Sequence, residues 1–328
     1  MEALCTFIGI GGRVDLRRLT TFITVAETGN MTKAAGQLYI SQPTVSQTIT
    51  ELEEHYQAKL FERYPKKLCL TEAGRRLFSH AQTIVANFAY LERQMRAGPG
   101  RNFLRLGASL TVGSSVMGHL AATLKQKSKN TDLHVMVENT NAIERKLLEN
   151  KLDAAIVEAE IKHPFILTEP IINDCLVLVC SRKHPLAKRQ SIRLHELADE
   201  VFLMREEGSG TRALFESVMR GHGLSYQIAW ESSSVESIKQ AVIHNHGLAV
   251  ISGRLVAGEL ASGKIKFLPV SDCMWKRHFL LAWHRDKNMT EELKLFMELA
   301  RSYEKYGLAC PLSQSDLLDA ASEFHLVE

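Results

Sequence analysis

The stretch from Met31 to Glu54, MTKAAGQLYISQPTVSQTITELEE, constrains this chain more than any other. Met31, Ala34, Ala35 and Leu38 recur at helical spacing, and the two alanines are small enough for a second helix to cross closely. Tyr39 and Ile40 interrupt that helix. Ser41 then serves as an N-cap, because its hydroxyl can accept from a free amide of the next turn, and Pro43 falls where a missing N–H is harmless. Val45, Ile49 and Leu52 follow at i, i+4, i+7 and predict an inward face. Gln42, Thr44, Ser46, Gln47 and Thr50 are left on the other side as an uncharged, hydrogen-bonding surface. Two short helices with a tight turn, the second carrying such a face, predict a helix-turn-helix with a recognition helix.

Beyond this pair, Ser41-Gln42-Pro43-Thr44-Val45-Ser46-Gln47 is followed in order by Leu52-Glu53, Leu60-Phe61-Glu62-Arg63 and Leu70-Thr71-Glu72-Ala73-Gly74. In these motifs the chain resembles the LysR-type transcriptional regulators. The resemblance implies an α/β fold with an N-terminal winged helix-turn-helix, a long linker helix that pairs with a second subunit, and a two-lobed effector domain like a periplasmic binding protein. It also implies that Thr32, Lys33, Ser41, Gln42, Pro43, Thr44, Ser46, Gln47, Arg63 and Lys67 meet double-stranded DNA. Gln47 departs from the family, which usually carries a larger basic residue there, so a neutral contact replaces a charge-assisted one.

Charge is distributed as such a head requires. Residues 1–97 hold 12 Lys and Arg against 9 Asp and Glu, so the whole net charge of +3 lies in that segment. A modest excess of this kind suits phosphate contact, and is equally what an ordinary solvated surface carries. Arg63, Lys66 and Lys67 fall at the tip of an expected β-wing formed around Phe61 and Leu70. Six cysteines at 5, 69, 175, 180, 273 and 310 show no CxxC and no disulfide spacing, which suits a reducing cytosol. No apolar run approaches about 18 residues, so a membrane span is not expected, and the N-terminus lacks the pattern of a signal peptide. Residues 1–13 are either a short extension or lie upstream of a start at Val14.

The expected division is a head at 14–72, a linker helix at 73–98, one effector lobe at 99–164 with 268–305, and a second lobe at 165–267. Leu77, Ile84, Phe88 and Leu91 give the linker helix an apolar stripe that its own small domain cannot bury, which predicts a partner helix. Gly98-Pro99-Gly100 breaks it. Strands and helices then alternate, implying parallel strands with right-handed crossovers. The chain is expected to leave the first sheet around His163-Pro164 and return near Phe267, with strands at Leu176–Cys180 and His278–Trp283. After Gly307 a partly apolar tail remains.

Two turns stand out in this second half. Gly208-Ser209-Gly210-Thr211 follows a strand and opens a helix, an arrangement that offers backbone amides and hydroxyls to a small anion or makes a plain capped turn. It is not a Walker A loop, since no lysine follows. Ser109 and Thr111 lie between another strand and helix, at the carboxyl end where α/β sheets bind ligands. By resemblance, equivalent turns hold the effector between the lobes. Glu158 either lines the same cleft or pairs with an arginine, and Ser232-Ser233-Ser234 is a further candidate turn. His244-x-His246 lacks a third ligand and Cys175 and Cys180 are expected to pack, so neither a metal nor another cofactor is expected. With 13 histidines an accidental triad is easily imagined, and none is ordered like a hydrolase.

The reading is a cytoplasmic, sequence-specific regulator and not an enzyme. It binds operator DNA and a small anionic effector, self-associates as a dimer or tetramer, and is able to meet RNA polymerase. Two rivals are an enzyme acting on a small anion and a transport-type solute-binding protein, each with an appended DNA-binding head. The absence of a nucleophile, base and metal set weighs against the first, and the N-terminal head weighs against the second.

Overall fold

The computed structural model describes residues 14–64, 67–97, 102–308, 313 and 315–319. The chain divides into two compact units, one built mainly from the residues before Pro99 and the other from those after it.

The first unit is helical with one hairpin. Helix α1 (Leu16–Thr28) is capped by Asp15, whose carboxylate accepts from Arg18 N, and ends at Gly29 in the left-handed region. Helix α2 (Met31–Leu38) is capped by Asn30 and stops at Tyr39, which takes a left-handed φ of 55°. Helix α3 (Gln42–Tyr56) is capped by Ser41, and Val45, Ile49 and Leu52 are its buried residues, as the spacing predicts. These pack with Phe22, Val25, Ala34 and Ala35 in one core. Strands β1 (Phe61–Tyr64) and β2 (Lys67–Leu70) pair antiparallel with Phe61 opposite Leu70.

The family motifs have physical jobs here. Glu53 accepts from the amide of Leu60 at 2.9 Å and so fixes where the wing begins. Thr71 caps helix α4 (Glu72–Ala97) by accepting from Gly74 N, while its own hydroxyl donates to Lys59 O. Gly74 lies so close to β1 that a Cβ there would stand 2.1 Å from Leu60 O. Helix α4 is about 39 Å long at 1.5 Å per residue. Along it Ile84, Phe88, Leu91 and Met95 are exposed at i, i+4, i+7, i+11.

The second unit is built on a seven-stranded sheet. Strands β3 (Asn102–Ala108), β4 (Thr131–Val137) and β5 (Ala154–Val157) are parallel, with β3 in the middle. Helices α5 (Leu110–Ser115), α6 (Met117–Lys127) and α7 (Thr140–Leu148) connect them. The sequence pattern predicts one helix from Val116; the short α5 before it was not legible because Gly113-Ser114-Ser115 weakens the helical signal.

The largest departure from expectation is β6, a single strand from Ile166 to Ser181. The chain does not leave the sheet at His163-Pro164. Instead β6 runs on, antiparallel to β11 (Trp275–His284), and the two strands carry the chain from one core to the next. Ile171, Ile172 and Phe279 belong to the core of the first lobe, and Leu176 and Trp275 to the second. Pro170, which cannot donate to the ladder, sits at an irregularity of register beside Leu280. The second lobe adds β7 (Val201–Arg205), α8 (Gly210–Gly221), β8 (Gln227–Ser232), α9 (Val235–Ile243), β9 (Ala249–Ser252), α10 (Ala257–Ala261) and β10 (Ile265–Phe267). Helix α11 (Glu291–Ser302) closes the first lobe.

Two further expectations change. The tail is partly core, since Leu308 and Leu317 are fully buried in the second lobe against Gly253. Cys175 is disulfide-bonded, which corrects the expectation that it only packs. Among the described residues Cys69, Cys180 and Cys273 are free, so the second cysteine of the bond lies outside the described residues. Cys180 does pack, and burial pushes its thiol up to about 11. A disulfide contributes about 2–4 kcal/mol. Reduction with dithiothreitol is therefore expected to lower the unfolding midpoint by at least about 4 °C in a domain of this size. A midpoint unchanged between oxidised and reduced protein would contradict this.

Candidate functional site

The recognition surface is assembled from helix caps. Asn30 accepts from Thr32 N and Lys33 N at 2.9 and 3.0 Å, which fixes the start of α2 and leaves both side chains exposed. Ser41 accepts from Thr44 N and its hydroxyl lies 2.8 Å from that of Thr44. Burial of Val45, Ile49 and Leu52 turns Gln42, Pro43, Thr44, Gln47 and Thr50 to solvent, with Ser46 half-buried. Gln47 Nε2 donates to Glu51 Oε1 at 3.0 Å, and Glu51 in turn pairs with Arg18 at 2.9 Å. Gln47 therefore keeps its carbonyl oxygen, an acceptor that suits base amino groups, and the second N–H of its amide for contacts to DNA. The side chains of Arg63 and Lys67, and all of Lys66, lie outside the described residues.

In the second unit the two turns meet at the junction of the lobes. Ser109, Thr140 and Glu158 follow the carboxyl ends of the neighbouring strands β3, β4 and β5. From the other lobe, Gly210 lies against Glu158, where a Cβ would approach Glu158 Cγ to 2.8 Å. Gly208, at φ +85°, lies against Asn141, and Asn139 donates to Glu207 O. These glycines therefore let the lobes close on each other.

A buried charge network crosses the same junction. Arg277 on β11 donates through Nε to Asp174 on β6 at 2.7 Å and through Nη1 to Thr211 on α8 at 3.0 Å. Its Nη2 lies 3.3 Å from Glu158 Oε2, an ion-pair contact outside hydrogen-bond geometry. Asp174 also accepts from Ser252 and Arg254. Arg277, Asp174 and Thr140 were missed in the sequence. Alternation offered a signal for one of them: Arg277 shares its face with Trp275, Phe279 and Leu281, so the strand's parity turns it inward.

Ser109 and Ser209 are the N-caps of α5 and α8, yet neither side chain makes a capping bond. Their hydroxyls, that of Thr140 and both carboxylate oxygens of Glu158 are buried without a hydrogen-bond partner among the described residues. Each such group costs about 1–3 kcal/mol when desolvated. Thr111 is buried as well. Ser232-Ser233-Ser234 is by contrast a capped turn, since Ser234 accepts from Ser237 N and Ser232 from Ser234 N. His246 stacks on Trp230.

Residues 16–75 match the bacterial regulatory helix-turn-helix protein model of the lysR family, and residues 97–305 match the LysR substrate binding domain. The chain belongs to the LysR family. A RuBisCO operon transcriptional regulator of Allochromatium vinosum is 31% identical over 291 residues, covering 88% of this chain and 96% of that one. The HTH-type transcriptional regulator CysL of Bacillus subtilis is 30% identical over 286 residues, covering 87% and 96%. Among solved structures, the Synechocystis CcmR regulatory domain in complex with 2-PG is 27% identical, with a TM-score of 0.58 over 62% of this chain and 98% of that one. A full-length OxyR variant from Pseudomonas aeruginosa shares the fold, with a TM-score of 0.60 and 23% identity over 92% and 97% of the two chains. This LysR-family chain is a DNA-binding transcriptional regulator with a C-terminal effector-binding domain.

Proposed function

We propose that this regulator reads its operator through Gln42, Thr44, Ser46 and Gln47 of α3, with Ser41 and Pro43 shaping the helix start. Thr32 and Lys33 on α2 and Arg63 and Lys67 on the wing hold flanking phosphates. The uncharged, solvent-facing side of α3 carries this reading. Protein–DNA contact of this kind belongs in the cytoplasm, on the bacterial nucleoid. The head spans residues 14–72 and the linker helix 73–98. The effector lobes divide within the strands β6 and β11, with Ile171, Ile172 and Phe279 in the first lobe and Leu176 and Trp275 in the second.

The exposed stripe of Ile84, Phe88, Leu91 and Met95 supports pairing of α4 with the same helix of a second subunit. A two-fold dimer would place recognition helices in half-sites about 34 Å apart, and two dimers make a tetramer. A small effector binds among Ser109, Thr111, Gly208, Ser209, Gly210 and Thr211. Its binding favours one lobe arrangement and so one spacing of the heads, with RNA polymerase as the downstream partner. The named relatives are transcriptional regulators, and the domain is read accordingly as a binding module and not an enzyme.

Footprinting on the DNA upstream of its own gene, at fixed salt, tests the reading. Protection of a dyad is expected, with Gln42→Ala and Ser46→Ala each weakening binding at least about tenfold, since one good base contact is worth about 1–3 kcal/mol. No protection, or variants that bind like the parent, would overturn it.

A further inference from the structure

Glu158 is an unexpected neighbour for an anion site. Its carboxylate is buried between the first turn of α8 and the hinge strand β11, and among the described residues neither oxygen has a hydrogen-bond donor. A carboxylate only accepts. Arg277 reaches one of the two oxygens at most: its Nε is held by Asp174 and its Nη1 by Thr211, and Nη2 lies 3.3 Å from Oε2 as an off-axis ion pair, which leaves Oε1 without a donor among the described residues. The hydroxyls of Ser109, Thr140 and Ser209 are buried and unpartnered around the same meeting point of the lobes. Hydroxyls both donate and accept, so they serve a ligand carboxylate equally well. A ligand carrying only negative oxygens would meet Glu158 with like charge and leave its oxygens unsatisfied.

We propose that the effector is a small carboxylate bearing a hydrogen-bond donor, a hydroxyl or an ammonium, on the carbon next to its carboxyl group, with that donor held by Glu158 and the carboxylate by the Ser109 and Ser209 hydroxyls. The inference rests on the reading of the interlobe junction as the effector site. It narrows "small anion" to 2-hydroxy or 2-amino acids and excludes the simple fatty and dicarboxylic acids of the same size.

Two matched sets of probes test it on the full-length protein by calorimetric titration and thermal shift: lactate, alanine and propionate, and malate, aspartate and succinate. In at least one set the hydroxyl- or ammonium-bearing acid is expected to bind at least about tenfold tighter than its donor-free analogue, as a site with a buried unpaired acceptor demands. Glu158→Gln separates the two donors, because its amide carbonyl still accepts from a hydroxyl but no longer neutralises an ammonium. A hydroxy acid should lose only a few-fold in that variant and an amino acid at least about tenfold. The comparison of probes on the parent protein stands even where a variant folds poorly.

Propionate or succinate binding as tightly as its partners, or no probe binding at millimolar concentration, overturns the proposal. So does discrimination that survives Glu158→Leu. Binding that is donor-selective yet indifferent to Ser109→Val and Ser209→Val places the ligand elsewhere and overturns the site reading instead.

Discussion

Arg277→Ala is expected to lower the stability of the effector-binding unit by about 3–5 kcal/mol, the range for breaking a buried pair and stranding its partners. Arg277 is buried on the core-facing side of β11 and reaches Asp174, Thr211 and Glu158. Its removal leaves Asp174 with Ser252 and Arg254 but leaves Glu158 without any cation in contact among the described residues. The unfolding midpoint should fall by at least about 6 °C for a domain of this size. Arg277→Lys should recover only part of the loss, because an ammonium cannot present three differently directed donors from a planar group. Thermal denaturation of parent and variants decides the matter. A midpoint within a degree or two of the parent would show that the network is not what joins the lobes. The same residue touches both lobes and both hinge strands, so the variant should also lose the operator's response to effector.

Gly74→Ala should disable the head and leave the effector-binding unit intact. An alanine Cβ would stand 2.1 Å from Leu60 O, and that oxygen is backbone, held by the amide of Thr71 at 3.0 Å. Neither atom can step aside without moving the start of α4 off β1. Overpacking of this kind costs about 1–3 kcal/mol and sometimes more. Operator affinity at fixed salt should drop at least about tenfold, while the transition of the effector-binding unit stays in place. Gly36→Ala is the matched control: Gly36 lies inside α2 with no atom within 4 Å of the added Cβ, and alanine there should stabilise the helix by about 0.5–1 kcal/mol. Equal behaviour of the two variants in urea denaturation would defeat the argument from close approach.

Those two glycines mark the limit of what can be read from sequence. Both stand in helical patterns, and only Gly74 meets a backbone oxygen from a distant strand. The head was otherwise legible almost throughout, since caps at Ser41 and Thr71 and the i, i+4, i+7 spacing of Val45, Ile49 and Leu52 are local signals. Gln47 is an intermediate case. Its exposed position was readable, but the direction of its amide follows from Glu51 being held in turn by Arg18 on another helix.

The effector-binding unit was legible as alternating elements, less so at the hinge. His163-Pro164 read as the break between lobes, whereas β6 begins just after it and passes through both cores without interruption. A strand that is inside one core at Ile172 and another at Leu178 carries no periodic sign of where it changes allegiance.

Sequence alone determined the recognition helix, the linker stripe and the two serine-bearing turns, because each is specified by residues within a few positions of one another. Tertiary structure decided that Gly210 of one turn lies against Glu158 of the facing lobe, and that Arg277 ties Asp174, Thr211 and Glu158 together. Those facts depend on contacts between segments far apart in the chain. No local propensity encodes such a contact; the packing of whole lobes fixes it.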